Sequence, residues 1–419
     1  MNILLIYPKP DVYKKSRFGF SYNLLLIATI LNFNHNVIIK DYSCEKFDRK
    51  WLMKQAACKQ FDLILIECDS FALKRSENVL NTKEILSIFQ GCTPSIVYGN
   101  YCCIKKENFK DATYTINVND INAIINCINN LDFIPKISNI SEYDKLPYID
   151  RKLLLNIDFY KKNSNSTLLQ TSVGCENTCV FCQRKGWQNH YIAHSDEYVL
   201  NELNTIKKDN FKNIWIIDEN FSFNLFRAKN LLRKIIYKKS TEGMNLFISS
   251  WANIDFEFID LCIKSNVKII SFGIESGNIN ILKFYRKNIK IDSIPEIINY
   301  ANKKGIFTVG NFILGAPMEN NKTICETFDL IKKCNFDQVN IKTLDYMIGS
   351  ELYNSLEPKY KVKDHVFSCL ENGLTKFKVE ELKKIKEEFL RMYYLSHKNH
   401  LAEKINKYGQ PYYISDGSN

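Results

Sequence analysis

Leu168, Leu169 and Gln170 lead through Thr171, Ser172, Val173 and Gly174 into Cys175, Glu176, Asn177, Thr178, Cys179, Val180, Phe181 and Cys182. A short apolar strand thus runs into a glycine and then into three cysteines at spacings of four and three. Working outward, the same rhythm repeats. Candidate strands follow at Asn213 to Ile217, Asn245 to Ser249, Lys268 to Gly273, Phe307 to Leu314 and Gln338 to Thr343, with helical patterns between them such as Ser195 to Lys208 and Asn321 to Lys332. Six βα units are too many for one small open sheet. They fit a partial (β/α)6 TIM-like barrel over residues 164–348, whose chemistry belongs at the C-terminal strand ends. The cysteine loop stands at such an end.

Upstream lies a second α/β series. Strands are expected at Asn2 to Tyr7, Asn36 to Lys40, Phe61 to Glu67 and Ser95 to Tyr98, and helices at Ser21 to Asn32, Asn81 to Phe89 and Asp120 to Asn130. Continuous apolar runs alternating with helices indicate a doubly wound parallel sheet over residues 1–132, with its ligand edge at the carboxyl ends of the strands. Residues 133–163 hold Pro135, Pro147 and weak periodicity, as a linker would. Residues 349–419 are expected to be a helical tail, with Leu382, Ile385, Phe389 and Tyr393 as a packing stripe from Lys378 to Lys407.

Composition bounds the function. With 419 residues, 45% apolar and 25% charged, the chain can bury two or three cores, so disordered and fibrous classes are excluded. The longest apolar run, near Asn23 to Leu31, is too short to span a membrane. Met1 to Tyr7 lacks the basic start of a secretory signal, so a cytoplasmic location is expected and the fourteen cysteines read as thiols and metal ligands, not disulfides. The net charge of +11 comes from Lys scattered throughout, with nine Arg among 57 basic residues. No concentrated basic face with stacking aromatics emerges, and no nucleic-acid partner is expected.

Three thiolates in one loop can hold an iron–sulfur cube and leave its fourth iron without a protein ligand. Zinc is the competing metal, but structural zinc usually takes two CxxC pairs and no partner pair stands here. His190 and His194 are the nearby candidates for a fourth ligand.

The CxxxCxxC pattern, with the aromatic Phe181 before its last cysteine, resembles the radical S-adenosylmethionine (SAM) enzymes. The resemblance implies that Cys175, Cys179 and Cys182 hold a [4Fe-4S] cluster whose open iron chelates SAM, and that reductive cleavage yields a 5'-deoxyadenosyl radical. Later strand ends carry further family motifs. Asp218, Glu219, Asn220 and Phe221 look like the acidic motif, where Glu219 or Asp218 would meet the SAM amino group. Gly273 to Gly277 match the GIESG motif, with Glu275 and Ser276 toward the ribose or methionine carboxylate. Gly315, Ala316, Pro317 and Glu319 resemble the GxPxE turn whose backbone lies against adenine. A basic clamp for the SAM carboxylate is not evident after the third strand; Ser250, Asn253, Arg286 and Lys287 are the substitutes.

Residues 1 to about 130 resemble the cobalamin-binding domain of one radical SAM subgroup, through Ile3 to Pro8, Leu25 to Asp41, the strand holding Asp62 and Ile66, and Ile96 to Asn100. His35 is read as structural. No DxHxxG motif occurs, and Asn100 replaces the second glycine of a pair. The domain therefore either holds cobalamin without an axial histidine or serves as a scaffold. Cys68, Cys102 and Cys103 near that edge read as free buried cysteines. Past the barrel only Cys369 remains, so one cluster is expected. The N-terminal cysteines lack the spacing of the second cluster that methylthiotransferases need.

The expected function is a radical SAM enzyme acting on an unactivated C–H position, as a cobalamin-dependent methyltransferase or, alternatively, in a cobalamin-independent rearrangement, cyclisation or epimerisation. Flavodoxin or ferredoxin is the implied electron donor. The substrate class, small molecule or peptide, is not fixed by these residues, and Tyr393, Tyr394 and Tyr408 are as well suited to a core as to a pocket.

Overall fold

Apolar runs with no polar interruption, such as Ile3 to Ile6 and Leu63 to Ile66, are fully buried as strands, as a sheet covered on both faces requires. The computed structural model describes residues 1–8, 20–68, 77–99, 101–102, 106–116, 143–186, 190–361, 367–368 and 374–408. The described residues divide into two compact units, the first lying within Met1–Leu169 and Ile192–Phe211 and the second within Gln170–Tyr191, Lys212–Lys361 and Phe367–Asn419.

In the first unit, β1 (Asn2–Tyr7), β2 (Asn36–Asp41), β3 (Leu63–Glu67), β4 (Ser95–Tyr98) and β5 (Tyr114–Ile116) form a parallel sheet in the order β2-β1-β3-β4-β5. Helices α1 (Tyr22–Leu31), α2 (Arg49–Ala57) and α3 (Glu77–Phe89) make the crossovers. Helix α1 starts where the Ser21 hydroxyl accepts the N–H of Leu24, and all but two of its residues are buried. The doubly wound sheet is as expected; α2 and the short β5 are additions. The expected helix Asp120 to Asn130, together with Asn100, Cys103 and Cys369, lies outside the described residues.

At the sheet's carboxyl edge the backbone is tightly drawn. Gly99 has φ +147°, and a Cβ there would stand 2.0 Å from the Cys68 carbonyl oxygen, so no other residue fits without moving the strand ends. Cys68 and Cys102 are both fully buried, and the Cys102 thiol donates to the Gly99 carbonyl at 3.1 Å. Glu67 ends β3 wholly buried and accepts the Ser21 hydroxyl. His35 sits in the turn between α1 and β2, and neither of its ring nitrogens is hydrogen-bonded among the described residues.

The stretch read as a linker is more built than its composition suggests. From residue 143 onward it carries a 3-10 turn at Arg151–Leu153 and α4 (Ile157–Asn163). Arg151 is buried, with its guanidinium bonded to Glu202 at 2.8 Å, the Thr167 hydroxyl at 3.0 Å and the Leu168 carbonyl at 3.3 Å. Glu202 lies on α5 (Asp196–Lys208). With the Ile149 carbonyl at 3.3 Å, four acceptors surround one guanidinium, which is what makes a buried cation tolerable.

The second sheet runs β11-β10-β9-β8-β7-β6, with β6 (Ser166–Leu169), β7 (Asn213–Ile216), β8 (Asn245–Trp251), β9 (Val267–Glu275), β10 (Phe307–Leu314) and β11 (Gln338–Thr343). Successive parallel pairing of β7 to β11, with α6 (Leu225–Lys238), α7 (Phe256–Lys264), α8 (Ile279–Tyr285), α9 (Ile294–Lys303) and α10 (Asn321–Cys334) between strands, is the arrangement of the expected partial barrel. A short α11 (Glu351–Asn354) precedes the tail helix α12 (Val379–Tyr408).

Helix α12 closes the base of the barrel. Leu401 packs with Trp215 on the apolar group of Phe247, Ile269, Phe307 and Val309. Tyr393 donates to the Phe336 carbonyl at 2.7 Å, and Phe389 stacks on Phe328 with ring centroids 3.7 Å apart. Lys404, 8% exposed, bonds the Ile306 carbonyl at 2.6 Å, Asn302 at 2.7 Å and Asp337. The stripe of Leu382, Phe389 and Tyr393 is a packing face, and Tyr394 likewise spends its hydroxyl on the Val339 backbone.

Candidate active site

The loop after β6 holds all three cysteines. Cys179 is buried, while Cys175 and Cys182 are half-buried. The Cys182 N–H returns to the Cys179 carbonyl at 3.1 Å, and Asn177 donates to the Cys175 sulfur at 3.1 Å. Val180 is tied on both sides, its N–H to the Tyr285 carbonyl and its carbonyl to the Leu352 N–H, while the Phe181 ring meets Tyr285 edge-on at 5.1 Å. Burial pushes the Cys179 thiol up to about 12, partly offset by the Lys287 ammonium, and raises Cys182 as well.

A bound cationic centre favours the thiolate forms that burial disfavours. A cube distributes three cysteines over three irons, so they need not converge on one point; among the described residues no trio of His, Cys, Asp or Glu closes round a single ion. The donor set, three sulfurs on one loop at a barrel strand end, fits a cluster. His194 is not built as a further ligand: its ring is stacked between Tyr143 and Tyr198, and Nδ1 meets Asp144 at 3.0 Å.

The acids after β7 fasten this loop. Asp218, 3% exposed, accepts the N–H groups of Thr171 and Ser172 at 2.7 and 3.0 Å as well as both their hydroxyls. Glu219 accepts the Gly174 N–H at 2.9 Å and pairs with Arg184. Burial raises the Glu219 carboxyl, and the Arg184 guanidinium works against that rise. Arg184 carries no motif spacing, and sequence reasoning passed over it.

Where β9 ends, Glu275 adopts φ +75°, and the ladder to β10 slips by one residue between Gly273 and Glu275. A non-glycine residue in that region costs about 1–3 kcal/mol, and such strain gathers at functional sites. Here it aims the carboxylate at Lys287, whose Nζ stands 2.8 Å from Oε1 and 4.2 Å from the Trp251 ring centroid. The other substitutes for a basic clamp are engaged elsewhere. Arg286 forks onto Glu351 at 2.6 and 2.8 Å, Ser250 bonds Ser222 at 2.6 Å, and Asn253 bonds the Asn288 carbonyl at 2.6 Å. Ser276 is wholly buried, with its hydroxyl 3.2 Å from that of Thr327 on α10.

The turn after β10 depends on Gly315, whose φ of +104° side chains rarely adopt. Its N–H and that of Ala316 both donate to Oε2 of Glu319. Glu319 is wholly buried, Oε1 has no partner among the described residues, and burial pushes the carboxyl up to about 7.

Acids therefore stand at three strand ends of the sheet whose first strand leads into the sulfur loop, and those of β7 and β9 lie near its cysteines. Residues 169–331 match the Radical SAM superfamily. It is 29% identical over 259 residues to an uncharacterized methyltransferase of Pyrococcus horikoshii, covering 56% of this chain and 53% of that one. It is 24% identical over 236 residues to the cytidylyl-2-hydroxyethylphosphonate methyltransferase of Streptomyces wedmorensis, covering 52% and 44%. The matches span about half the length of these relatives. Among solved structures, the radical SAM methyltransferase TsrM of Kitasatospora setae, with cobalamin and a [4Fe-4S] cluster bound, superposes with a TM-score of 0.71 at 16% identity over 84% of this chain and 76% of that one. The fold is shared. No helix among the described residues is long and apolar enough to cross a membrane.

Proposed function

We propose that this chain is a radical SAM enzyme that functionalises an unactivated C–H position as a cobalamin-dependent methyltransferase. The observation carrying this is the loop of Cys175, Cys179 and Cys182 at the first strand end of a radical SAM domain; methyltransferase-named relatives and the likeness to TsrM support the finer reading. Cys175, Cys179 and Cys182 would hold a [4Fe-4S] cluster, which would supply the low-potential electron for cleaving SAM. Glu219 receives the SAM amino group and Lys287, held by Glu275 beneath Trp251, receives its carboxylate. Gly315 offers backbone to the adenine, Ser276 braces the Glu275 turn, and Phe181 packs the loop on Tyr285. A cobalamin held at the carboxyl edge of the first sheet would supply the methyl group, a flavodoxin or ferredoxin would supply the electron, and the substrate is a small molecule or peptide. The domain plan proposed with this function is residues 1–132, 133–163, 164–348 and 349–419, in a cytoplasmic protein.

The missing DxHxxG motif favours a second reading, in which the first sheet is a scaffold and the reaction is a rearrangement, cyclisation or epimerisation. Anaerobic reconstitution tests the class: four irons per chain and 5'-deoxyadenosine on reduction with SAM are expected, and their absence refutes it. Titration with hydroxocobalamin then separates the two readings, since no binding at saturation removes the methyltransferase.

A further inference from the structure

Asp218 and Glu219 are neighbours in sequence yet are spent differently. The carboxylate of Asp218 offers about four acceptor positions, and two N–H and two O–H donors from Thr171 and Ser172 fill them. From the other side Arg227, on α6, donates Nη2 to the Thr171 carbonyl at 2.8 Å and Nη1 to its hydroxyl at 3.1 Å. The Thr171 hydroxyl therefore donates to an acid and accepts from a guanidinium, which fixes its rotamer as well as its backbone. Thr171 and Ser172 are themselves almost wholly buried, and Cys175 follows three residues on. Glu219 has fewer claims upon it, being held by one backbone N–H and by Arg184, whose side chain is 36% exposed.

We propose that Asp218 is a positioning residue for the sulfur loop, clamping residues 171–172 between β7 and Arg227 so that the cysteines leave the strand in one fixed direction, and that it makes no contact with SAM. The inference rests on the radical SAM reading and divides the acidic pair: Asp218 holds the loop, Glu219 faces the cofactor. Asn at 218 would keep the shape but present one oxygen and an amide donor to four donors, leaving buried N–H and O–H groups short of acceptors.

The test compares reconstituted wild type with Asp218→Asn in two measurements. The first is the rate at which a ferrous chelator strips iron, taken well below the unfolding temperature of each protein; the second is the change that SAM produces in the electron paramagnetic resonance spectrum of the reduced cluster. Iron release about tenfold faster, with the SAM-induced spectral change intact in the cluster that remains, is the expected outcome. Unchanged iron release, or loss of the SAM effect from a stably held cluster, overturns the assignment. Lys404→Met, which loosens the base of the barrel, is the control and must not speed iron release. If Asp218→Asn fails to fold, Thr171→Val and Ser172→Ala each delete one hydroxyl donor and must each speed release. A wild type that holds fewer than four irons refutes the superfamily reading instead, so the two failures are distinguishable.

Discussion

Replacing Glu319 by Gln should change how the protein's stability depends on pH. The folded state holds this carboxyl at about 7 against an ordinary value of 4.5, because burial disfavours the anion and the two backbone N–H groups only partly compensate. A raised acid is protonated in the folded state where the unfolded chain has already ionised. Its stabilising contribution is therefore complete below about 4.5 and is lost as the pH climbs through about 7. A gap of roughly 2.5 units corresponds to about 3 kcal/mol, at 1.36 kcal/mol per unit. Gln keeps an oxygen for Gly315 and Ala316 and carries no charge. Urea unfolding of both proteins from pH 4.5 to 8 should show nearly equal stability at the acid end and a Gln variant more stable by about 3 kcal/mol at the alkaline end. A difference that stays flat across that range refutes the argument, for it would mean that the anion is solvated or paired after all.

Three further outcomes follow from the same geometry. Alanine at Cys175, Cys179 or Cys182 singly should leave less than one full cluster per chain and abolish 5'-deoxyadenosine formation, read by iron content and product analysis. Lys287→Met should weaken SAM binding about ten- to hundredfold with the cluster still present, since one charge-assisted contact is lost; equilibrium binding to the reconstituted enzyme measures it, and unchanged affinity removes Lys287 from the site. Lys404→Met should destabilise the chain by about 3–5 kcal/mol by removing the cation from the buried Asp337 carboxylate, which keeps the Thr308 N–H and hydroxyl, and Asp337→Asn in the same chain should recover much of that loss in denaturant unfolding.

The strands were legible because buried parallel strands are written as unbroken apolar runs; Phe307 to Leu314 and Gln338 to Thr343 match their structural bounds. The cysteine loop was legible because its ligands lie within eight residues of one another. Helix α2 was not, since only Leu52 and Ala56 of its nine residues are buried and no apolar stripe announces it. Nor was β5, three residues long with Tyr114 exposed. Least legible were the polar partnerships that cross long stretches of chain. Arg151 and Glu202 are 51 residues apart, and Asp218 and Thr171 are 47 apart. Periodicity reports which way a side chain faces, never which distant donor will meet it, so the four donors of Thr171 and Ser172 round Asp218 were not to be read from the sequence.

The pin at the foot of the barrel has a consequence for synthesis. Lys404 lies 67 residues beyond Asp337 and 98 beyond Ile306, the groups it joins. A nascent chain therefore exposes all three sulfur ligands long before the element that locks the strands' starting ends has been made. During that interval nothing in the fold yet shields the thiols from oxidation or from stray metal.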